Sequence, residues 1–338
     1  MAFLVYLGVM VGVFLAALHT PAAMADLGLT CTAARPYPLS MIETALKKFY
    51  NQTQGPTSWP PLYRAGWDRP NYCAFDGNEG AHPPPAGVRC FLGGGGGWAL
   101  DPPKGIGGLI FLFHISGEAR GPLPEEFKAF TNPDIIQLSG NHITGPIWDT
   151  SEACALMRLD LSHNEMSGTI PPNFMQKNLA ALNMLNLGYN QFDGTLPPII
   201  GQLGVTASLI LRQNKFSGSI PDLSHAATLR HLDLAMNQFS GAVGPWLKEL
   251  KNLVWFHVDN NQLNGAFPEL PPRLSRFSGS NNGFEGPIPA SVGSLGYLRY
   301  FNCTNCNKLT CPRDDMLAHL DFTTHCGGSK AKFAKAAS

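Results

Sequence analysis

The sequence predicts an α/β solenoid, in which about nine short strand-and-turn repeats stack into one superhelix between two caps. Three observations lead to this fold class. An asparagine recurs every 21 to 26 residues, apolar residues stand five and three positions before most copies of it, and a glycine stands four positions after each copy. A length of 338 residues would suggest roughly two domains, but a repeat array overrides that expectation. The asparagine column is Asn141, Asn164, Asn190, Asn214, Asn237, Asn261 and Asn282.

Each column of the repeat has a physical reason. Apolar pairs such as Leu159 and Leu161 are two positions apart and face the same side of a short strand, which predicts a parallel sheet. The asparagine follows in a turn, where its buried amide must bond to backbone groups. The glycine allows a positive φ angle, and the Ile-Pro or Leu-Pro that usually follows marks an edge or turn. The glycine column is Gly121, Gly145, Gly168, Gly194, Gly218, Gly241, Gly265 and Gly286.

Composition excludes some classes of function. The chain has 24 Lys+Arg and 24 Asp+Glu, and charged residues make up only 14% of it. A neutral chain lacks the basic field that attracts nucleic acid or an anionic membrane surface. Because 44% of the residues are hydrophobic, the chain can bury a core, so global disorder is excluded too.

Residues 1–25 have the pattern of a secretory signal peptide. An apolar run from Phe3 to Leu18 precedes a small-residue stretch, and we expect cleavage after Ala25. An uncleaved signal anchor is the alternative, although the run is shorter than the ~20 residues of a membrane span. No later segment is as apolar, so we expect a secreted protein, extracellular or in the cell wall, that does not span the membrane.

Secretion favours disulfide bonds for the eight cysteines. We expect Cys73 to pair with Cys90, whereas the pairing of Cys31 and Cys154 stays open. The last four cysteines are expected to form two bridges, with a zinc site as the lesser alternative. These four are Cys303, Cys306, Cys311 and Cys326.

The ends of the chain are expected to cap the solenoid. Ser40-Met41-Ile42-Glu43 is a capping box that predicts a short helix with Ile42, Leu46 and Phe49 on its apolar face. Sequons at Asn51 and Asn302 predict glycosylation. The expected order is 1–25 signal peptide, 26–106 N-terminal cap, 107–302 solenoid, 303–326 C-terminal cysteine cap and 327–338 flexible tail.

The repeat resembles a known family. The unit Leu156-x2-Leu159-x-Leu161-x2-Asn164-x-Met166-x-Gly168-x-Ile170-Pro171 is similar to the plant-specific class of extracellular leucine-rich repeats. The pattern Trp67…Cys73…Gly87-Val88-Arg89-Cys90 resembles the N-terminal cap of that class. The resemblance implies a right-handed solenoid with a concave binding face. In size and architecture the chain resembles the soluble polygalacturonase-inhibiting proteins of that family, which also includes receptor-like protein ectodomains.

The repeat template also predicts which side chains face outward on the concave sheet. They stand six, four, two and one positions before each asparagine, and they are mixed in polarity with aromatic and arginine anchors. By the same rule Phe111, Phe113 and Ile115 would be exposed unless the N-terminal cap covers them. A glycan on Asn302 would obstruct one end of this face. The candidate ligand-binding residues are Arg158, Asp160, His163, Tyr189, Arg212, His231, Asp233, Trp255, His257 and Asp259.

We expect a binding protein and no enzyme. His231, Asp233, His257 and Asp259 invite a metal or acid–base interpretation, but the chain has no His-Glu-x-x-His and no nucleophile signature. We therefore expect no cofactor and no metal.

Three functions remain. The first is binding of a protein or peptide, possibly as an inhibitor of a cell-wall hydrolase. The second is a receptor-like role in signalling or defence with a peptide or glycan ligand and a membrane co-receptor. The third is a matrix or ice-binding role, which the irregular column four before each asparagine disfavours. That column is Phe113, Gln137, Asp160, Asn186, Ile210, Asp233, His257 and Ser278.

Overall fold

A computed structural model describes residues 39–52, 88–92, 109–114, 119–129, 135–153, 156–177, 179–306, 308–310 and 325–327. All of them belong to one compact unit, Tyr37–Ser338. Several sequence predictions lie outside the described residues. These are the signal peptide, the tail beyond Gly327, Trp67, Ile115, Cys31, Cys73, Cys154 and Cys311.

A long sheet of eleven strands runs through the unit. The first strand, Val88–Leu92, is antiparallel to the second, Leu109–His114, and every later neighbour pair is parallel. Parallel pairing of consecutive repeats is the expected arrangement of a solenoid. The strands are β1 Val88–Leu92, β2 Leu109–His114, β4 Ile135–Gln137, β6 Arg158–Asp160, β8 Met184–Asn186, β10 Ser208–Ile210, β12 His231–Asp233, β14 Trp255–His257, β16 Arg276–Ser278, β18 Tyr300–Thr304 and β20 His325–Gly327.

A second sheet of nine strands contains the glycine column, and sequence analysis missed it. The glycine was expected in a turn before the Ile-Pro, whereas it lies in a parallel strand, where it has a positive φ, such as +70° at Gly194. The strands are β3 Arg120–Pro122, β5 His142–Gly145, β7 Glu165–Gly168, β9 Gln191–Thr195, β11 Lys215–Gly218, β13 Gln238–Gly241, β15 Gln262–Ala266, β17 Gly283–Pro287 and β19 Lys308–Thr310.

Helical structure is short in the described residues. Helix α1 covers Leu39–Gln52, which confirms the expected helix but starts it one residue before Ser40, the predicted N-cap. Its Phe49 is fully buried and packs on Phe127, with ring centroids 5.3 Å apart. Among the described residues, five of the return segments contain a single 3₁₀ turn, so the fold class is confirmed with 3₁₀ turns in place of longer helices. These turns are Glu125–Ala129, Leu179–Ala181, Pro198–Gln202, Pro245–Glu249 and Ala290–Ser294.

The core lies between the two sheets and the return segments. The inward pairs of the long sheet, such as Leu159 and Leu161, are completely buried. A further buried column stands two positions after each asparagine, on the second sheet. In its middle Phe192, Phe216 and Phe239 stack with 6.2 Å between successive ring centroids. These contacts join neighbouring repeats, because no repeat can bury its own apolar face alone.

The asparagine column forms a hydrogen-bonded ladder. Asn237 is 8% exposed, and its Nδ2 donates to the carbonyls of Leu211 at 3.0 Å and Leu234 at 3.1 Å. Its Oδ1 accepts from the N–H of Phe216 at 3.1 Å. Each amide therefore bonds to its own turn and to the preceding repeat. The same pattern recurs at Asn164, Asn190, Asn214, Asn261 and Asn282.

The first repeat departs from the predicted register. Phe113 pairs with the buried Ile136, and His114 pairs with Gln137. His114, and not Phe113, therefore belongs to the column four before the asparagine. The reason is a deletion: Phe113 to Gly121 is eight positions, whereas Ile136 to Gly145 is nine. The first repeat has one residue fewer between its strand and its turn.

The ninth repeat has a disulfide-bonded cysteine at the position where the earlier repeats have the ladder asparagine. Cys303 and Cys306 form a disulfide and are both completely buried. Cys306 occupies the asparagine position and Cys303 the inward position three before it. Cys303 also pairs in register with Cys326 of β20, so the long sheet continues past the last full repeat.

Candidate ligand-binding face

One face of the long sheet, here called the open face, carries the residues six, four and two positions before each ladder asparagine. Backbone pairing aligns the first of these positions across strands, for example Ser208 with His231 and His231 with Trp255. The second position is aligned in the same way, for example Asp233 with His257. Side chains from repeats more than 20 residues apart in sequence are therefore neighbours about 4.8 Å apart along the sheet.

The first row forms a continuous line of contacts. Nδ1 of His231 lies 3.1 Å from Oγ of Ser208, and its ring packs at a tilt on Trp255 with centroids 4.6 Å apart. On the other side of the indole, the guanidinium carbon of Arg276 stands 5.5 Å from the ring centroid. Trp255 is still 42% exposed. A large aromatic surface therefore faces solvent between the imidazole of His231 and the guanidinium of Arg276.

A charged group lies beside that line. Oδ2 of Asp233 lies 3.8 Å from Nη1 of Arg212 and 3.7 Å from Nδ1 of His257. Oδ1 of Asp233 accepts from the N–H of Ala235 at 3.1 Å, which fixes the carboxylate. Arg212 also directs Nη2 to the sulfur of Met236 at 3.4 Å. The structure thus brings together five of the predicted residues, Arg212, His231, Asp233, Trp255 and His257, and adds Arg276.

Two predicted aspartates serve the backbone. Asp160 is only 8% exposed, and its Oδ1 accepts from the N–H and the hydroxyl of Ser162. Asp259 accepts from the hydroxyl of Ser278 and the N–H of Ser280 in the next repeat. Asp160 shapes its own turn, because a side chain that bonds to the backbone two residues on fixes that turn, and Asp259 ties its repeat to the next one. Asp233 bonds to Ala235 in the same way as Asp160, but its Oδ2 stays beside Arg212 and His257. We therefore leave Asp160 and Asp259 out of the contact surface.

The residues directly before the ladder asparagines have a different backbone. They lie in the left-handed region, with φ of +54° at His163 and +57° at Tyr189, so they belong to the turn and not to the strand. The rings of His163 and Tyr189 stack with centroids 4.1 Å apart. The sequence rule grouped the position directly before the asparagine with the strand positions, because spacing along the sequence carries no information on the φ angle. The same conformation occurs at Gln213, Met236, Asn260, Asn281 and Asn305.

Arg158 is the remaining predicted contact. It is half-buried on β6, and its Nε is buried without a hydrogen-bond partner among the described residues. Arg276 is the residue that the prediction omitted. It stands six positions before Asn282. The spacing rule would have found it had the rule been applied one repeat further.

The two sequons lie in different places. Asn51 is exposed on α1. Asn302 is on the open face in register with Ser278, and its Oδ1 accepts from the hydroxyl of Thr304 at 2.8 Å. A glycan on Asn302 would stand at the C-terminal end of the open face.

Electrostatics favour a neutral His231. Burial lowers the pKa of His231 below its usual range, and the positive charges of Arg230 and His257 lower it further. Within the described part of the chain, no group of three or more His, Cys, Asp and Glu side chains could hold a metal ion. Nor does any helix in that part have the length and apolar character needed to cross a membrane.

Stacked parallel strands, an asparagine ladder and a second sheet together give the chain the fold of a leucine-rich-repeat solenoid. Family models described as Leucine Rich Repeat match residues 155–176 and 181–203, and a further one matches 225–242. A comparison with curated protein sequences gives no significant match. Together with the solved structures described next, the matches show that the chain is similar to plant-type extracellular leucine-rich-repeat proteins.

Two similar solved structures are peptide-bound plant receptors. One is the plant peptide hormone receptor RGFR1 in complex with RGF2, at 27% identity and a TM-score of 0.54, covering 58% of this chain and 32% of that one. Another is the Arabidopsis receptor kinase HAESA ectodomain in complex with an N-terminally extended IDA peptide hormone, at 30% identity and a TM-score of 0.51, covering 57% and 35%. This chain therefore spans about a third of the length of these ectodomains.

A third similar structure has a comparable length. It is a plant ice-binding protein at 19% identity, with a TM-score of 0.56, covering 81% of this chain and 88% of that one. At this identity the likeness concerns the fold alone.

Proposed function

We propose that this chain is a non-enzymatic, extracellular binding protein that holds a protein or peptide ligand on the open face. The observation that carries the proposal is the contiguous strip of Ser208, His231, Trp255 and Arg276 beside the Arg212–Asp233–His257 group. Tryptophan and arginine are the residue types that dominate binding energy at protein interfaces. Backbone pairing fixes the strip before any ligand arrives, which lowers the entropy lost on binding.

Inhibition of a cell-wall hydrolase is the form of this function that the family resemblance suggests. The open face would dock the enzyme and block its substrate cleft. A receptor-like role is the second candidate, and it is supported by the peptide hormone complexes of the two receptors that the chain resembles. Both roles use the same face, so they differ in the partner and not in the contact residues.

The full chain, produced in a secretory host, serves as bait for cell-wall extracts, a panel of secreted hydrolases and synthetic peptide pools. Captured partners are identified by mass spectrometry. An Arg212→Ala/Trp255→Ala variant tests the face, and Lys215→Ala/Val205→Ala, which alters exposed residues elsewhere, is the matched control. We expect capture to be lost only in the first variant. Capture that survives in it would overturn the assignment to the open face.

The identity of the partner separates the roles. A secreted hydrolase that loses activity when bound supports inhibition. A peptide or a membrane co-receptor supports signalling. If the purified chain instead slows ice growth and captures neither, the third function replaces both.

A further inference from the structure

A groove of about 420 Å³ lies outside the open face, along the edge of the long sheet where strands begin. Arg230, Val254, Ser275 and Arg299 each stand directly before a strand, β12, β14, β16 and β18 respectively. Their backbones are bonded from repeat to repeat: the carbonyl of Arg230 accepts from Val254, and that of Ser275 accepts from Arg299. The groove therefore has a rigid base.

The polar lining of the groove is cationic. Its lining residues are Arg230, Asn252, Val254, Arg273, Ser275, Tyr297 and Arg299. None of the three arginines has a carboxylate within ion-pair distance among the described residues. Other cationic side chains of the chain, such as Lys48, Lys177 and Arg212, do have such a carboxylate. The positive charge of Arg230 also lowers the pKa of the neighbouring His231. Three guanidinium groups thus share one groove without an internal counterion in the described part of the chain.

Two of the guanidinium groups are held in place by neutral acceptors. Nη1 of Arg273 donates to Oδ1 of Asn252 at 3.1 Å, and the amide of Asn252 donates in turn to the carbonyl of Ala227. Nη1 of Arg299 donates to the carbonyl of Gly296 at 2.8 Å. A guanidinium has five N–H donors, so each keeps donors for a ligand. Their planar fork matches a carboxylate in a bidentate manner.

The rest of the lining is apolar and aromatic. Val254 and the stems of the arginines provide apolar surface, and Tyr297 is 62% exposed at the rim. A ligand that fits this groove carries carboxylates together with apolar side chains. A chain of uronic acids has the carboxylates but lacks the apolar groups, whereas an extended peptide that alternates acidic and apolar residues has both.

We propose that this groove, defined by Arg230, Arg273, Arg299 and Tyr297, is a second binding site, which takes an extended acidic peptide segment of a protein partner. Successive strands are about 4.8 Å apart, so the three spacings from Arg230 to Arg299 span roughly 14 Å. An extended peptide covers that distance in about four residues. Successive side chains of an extended peptide point to opposite sides, so acidic side chains at alternate positions reach the arginines. The intervening apolar side chains point away from the base of the groove, toward the exposed Tyr297 at its rim. The site is separate from the open face, so it does not depend on the proposed function.

The test measures fluorescence anisotropy of a labelled, end-capped peptide of alternating aspartate and leucine with the full chain at low ionic strength. The same peptide with asparagine for aspartate is the ligand control. Arg273→Gln/Arg299→Gln removes two groove charges, and Lys215→Gln/Lys248→Gln removes two exposed charges elsewhere. We expect the arginine variant to bind the acidic peptide at least tenfold more weakly and the lysine variant to bind it within about twofold of the unmodified chain.

Three outcomes would overturn the proposal. Equal weakening in both variants would show attraction by net charge alone. Loss of binding in Arg212→Ala/Trp255→Ala with binding intact in the arginine variant would place the peptide on the open face. A uronic acid hexamer that binds the groove more tightly than the acidic peptide would assign the site to a saccharide. Thermal unfolding of each variant checks that it is folded, which is expected because these arginines and lysines are exposed.

Discussion

At the scale of the residue, the buried amides of the ladder hold neighbouring repeats together. Asn237→Ala removes the donor to the carbonyls of Leu211 and Leu234 and the acceptor for the N–H of Phe216, and all three residues are completely buried. We expect the free energy of unfolding to fall by about 2–4 kcal/mol, since buried groups left without partners carry a desolvation penalty. Urea denaturation followed by circular dichroism measures it. Asn264→Ala, at an exposed position of β15, is the control and should change little.

His231 gives a prediction about pH. Because its pKa is lowered in the folded state, the unfolded chain binds more protons between that pKa and the unfolded value of about 6.5. The free energy of unfolding therefore rises with pH across this window, and the contribution is lost as pH falls through it. We expect His231→Gln to flatten this part of the profile. In NMR titration, a His231 signal with its midpoint above 6.5 would contradict the assignment.

At the scale of the element, the second sheet depends on glycine to different degrees along its length. Gly218 and Gly286 have similar φ angles of +74° and +79°, so alanine at either position is strained by about 1 kcal/mol. An added Cβ at Gly218 would stand 2.8 Å from Cγ2 of Thr195, whereas Gly286 has nothing within 4 Å. We expect Gly218→Ala to lower the free energy of unfolding more than Gly286→Ala.

One further substitution should remove the difference between the two glycine variants. Serine at position 195 lacks the crowding methyl group, so Thr195→Ser in the Gly218→Ala background should reduce the loss of unfolding free energy to that of Gly286→Ala. Denaturant unfolding of the three variants gives the comparison. Equal losses for the two single variants would mean that φ strain alone decides the effect.

At the scale of the whole molecule, the last repeat of the solenoid has a disulfide in place of the hydrogen bonds of the asparagine ladder. Cys306 occupies the asparagine position, and its disulfide to Cys303 closes only a short loop. Cys303→Leu/Cys306→Asn restores the side chains of an ordinary repeat, so we expect its Tm to exceed that of Cys303→Ser/Cys306→Ser, which leaves two buried hydroxyls and no amide. Differential scanning calorimetry measures both. Equal Tm values would show that an asparagine at position 306 and a leucine at position 303 do not stabilise this end.

Sequence spacing predicted the strands of the long sheet and the ladder because those columns face one core and repeat at fixed offsets. The second sheet was missed because strands such as Gln191–Thr195 contain one buried residue, Phe192, and no alternating pattern. The sequence predicted which positions lie on the open face, but it did not predict which of their side chains contact one another. Asp233, Arg212 and His257 are in separate repeats, so only the pairing of strands reveals their contact.

The intervals between ladder asparagines vary from 21 to 26 residues, yet the step from each asparagine to its glycine is always four. All of that variation falls after the glycine, on the return segments with their 3₁₀ turns. Insertions and deletions there leave strand register untouched. From Asn141 to Asn282, the back of the molecule can therefore change length while the open face changes only by substitution. Evolution, or an engineer, can therefore retune the ligand one side chain at a time without rebuilding the scaffold that presents it.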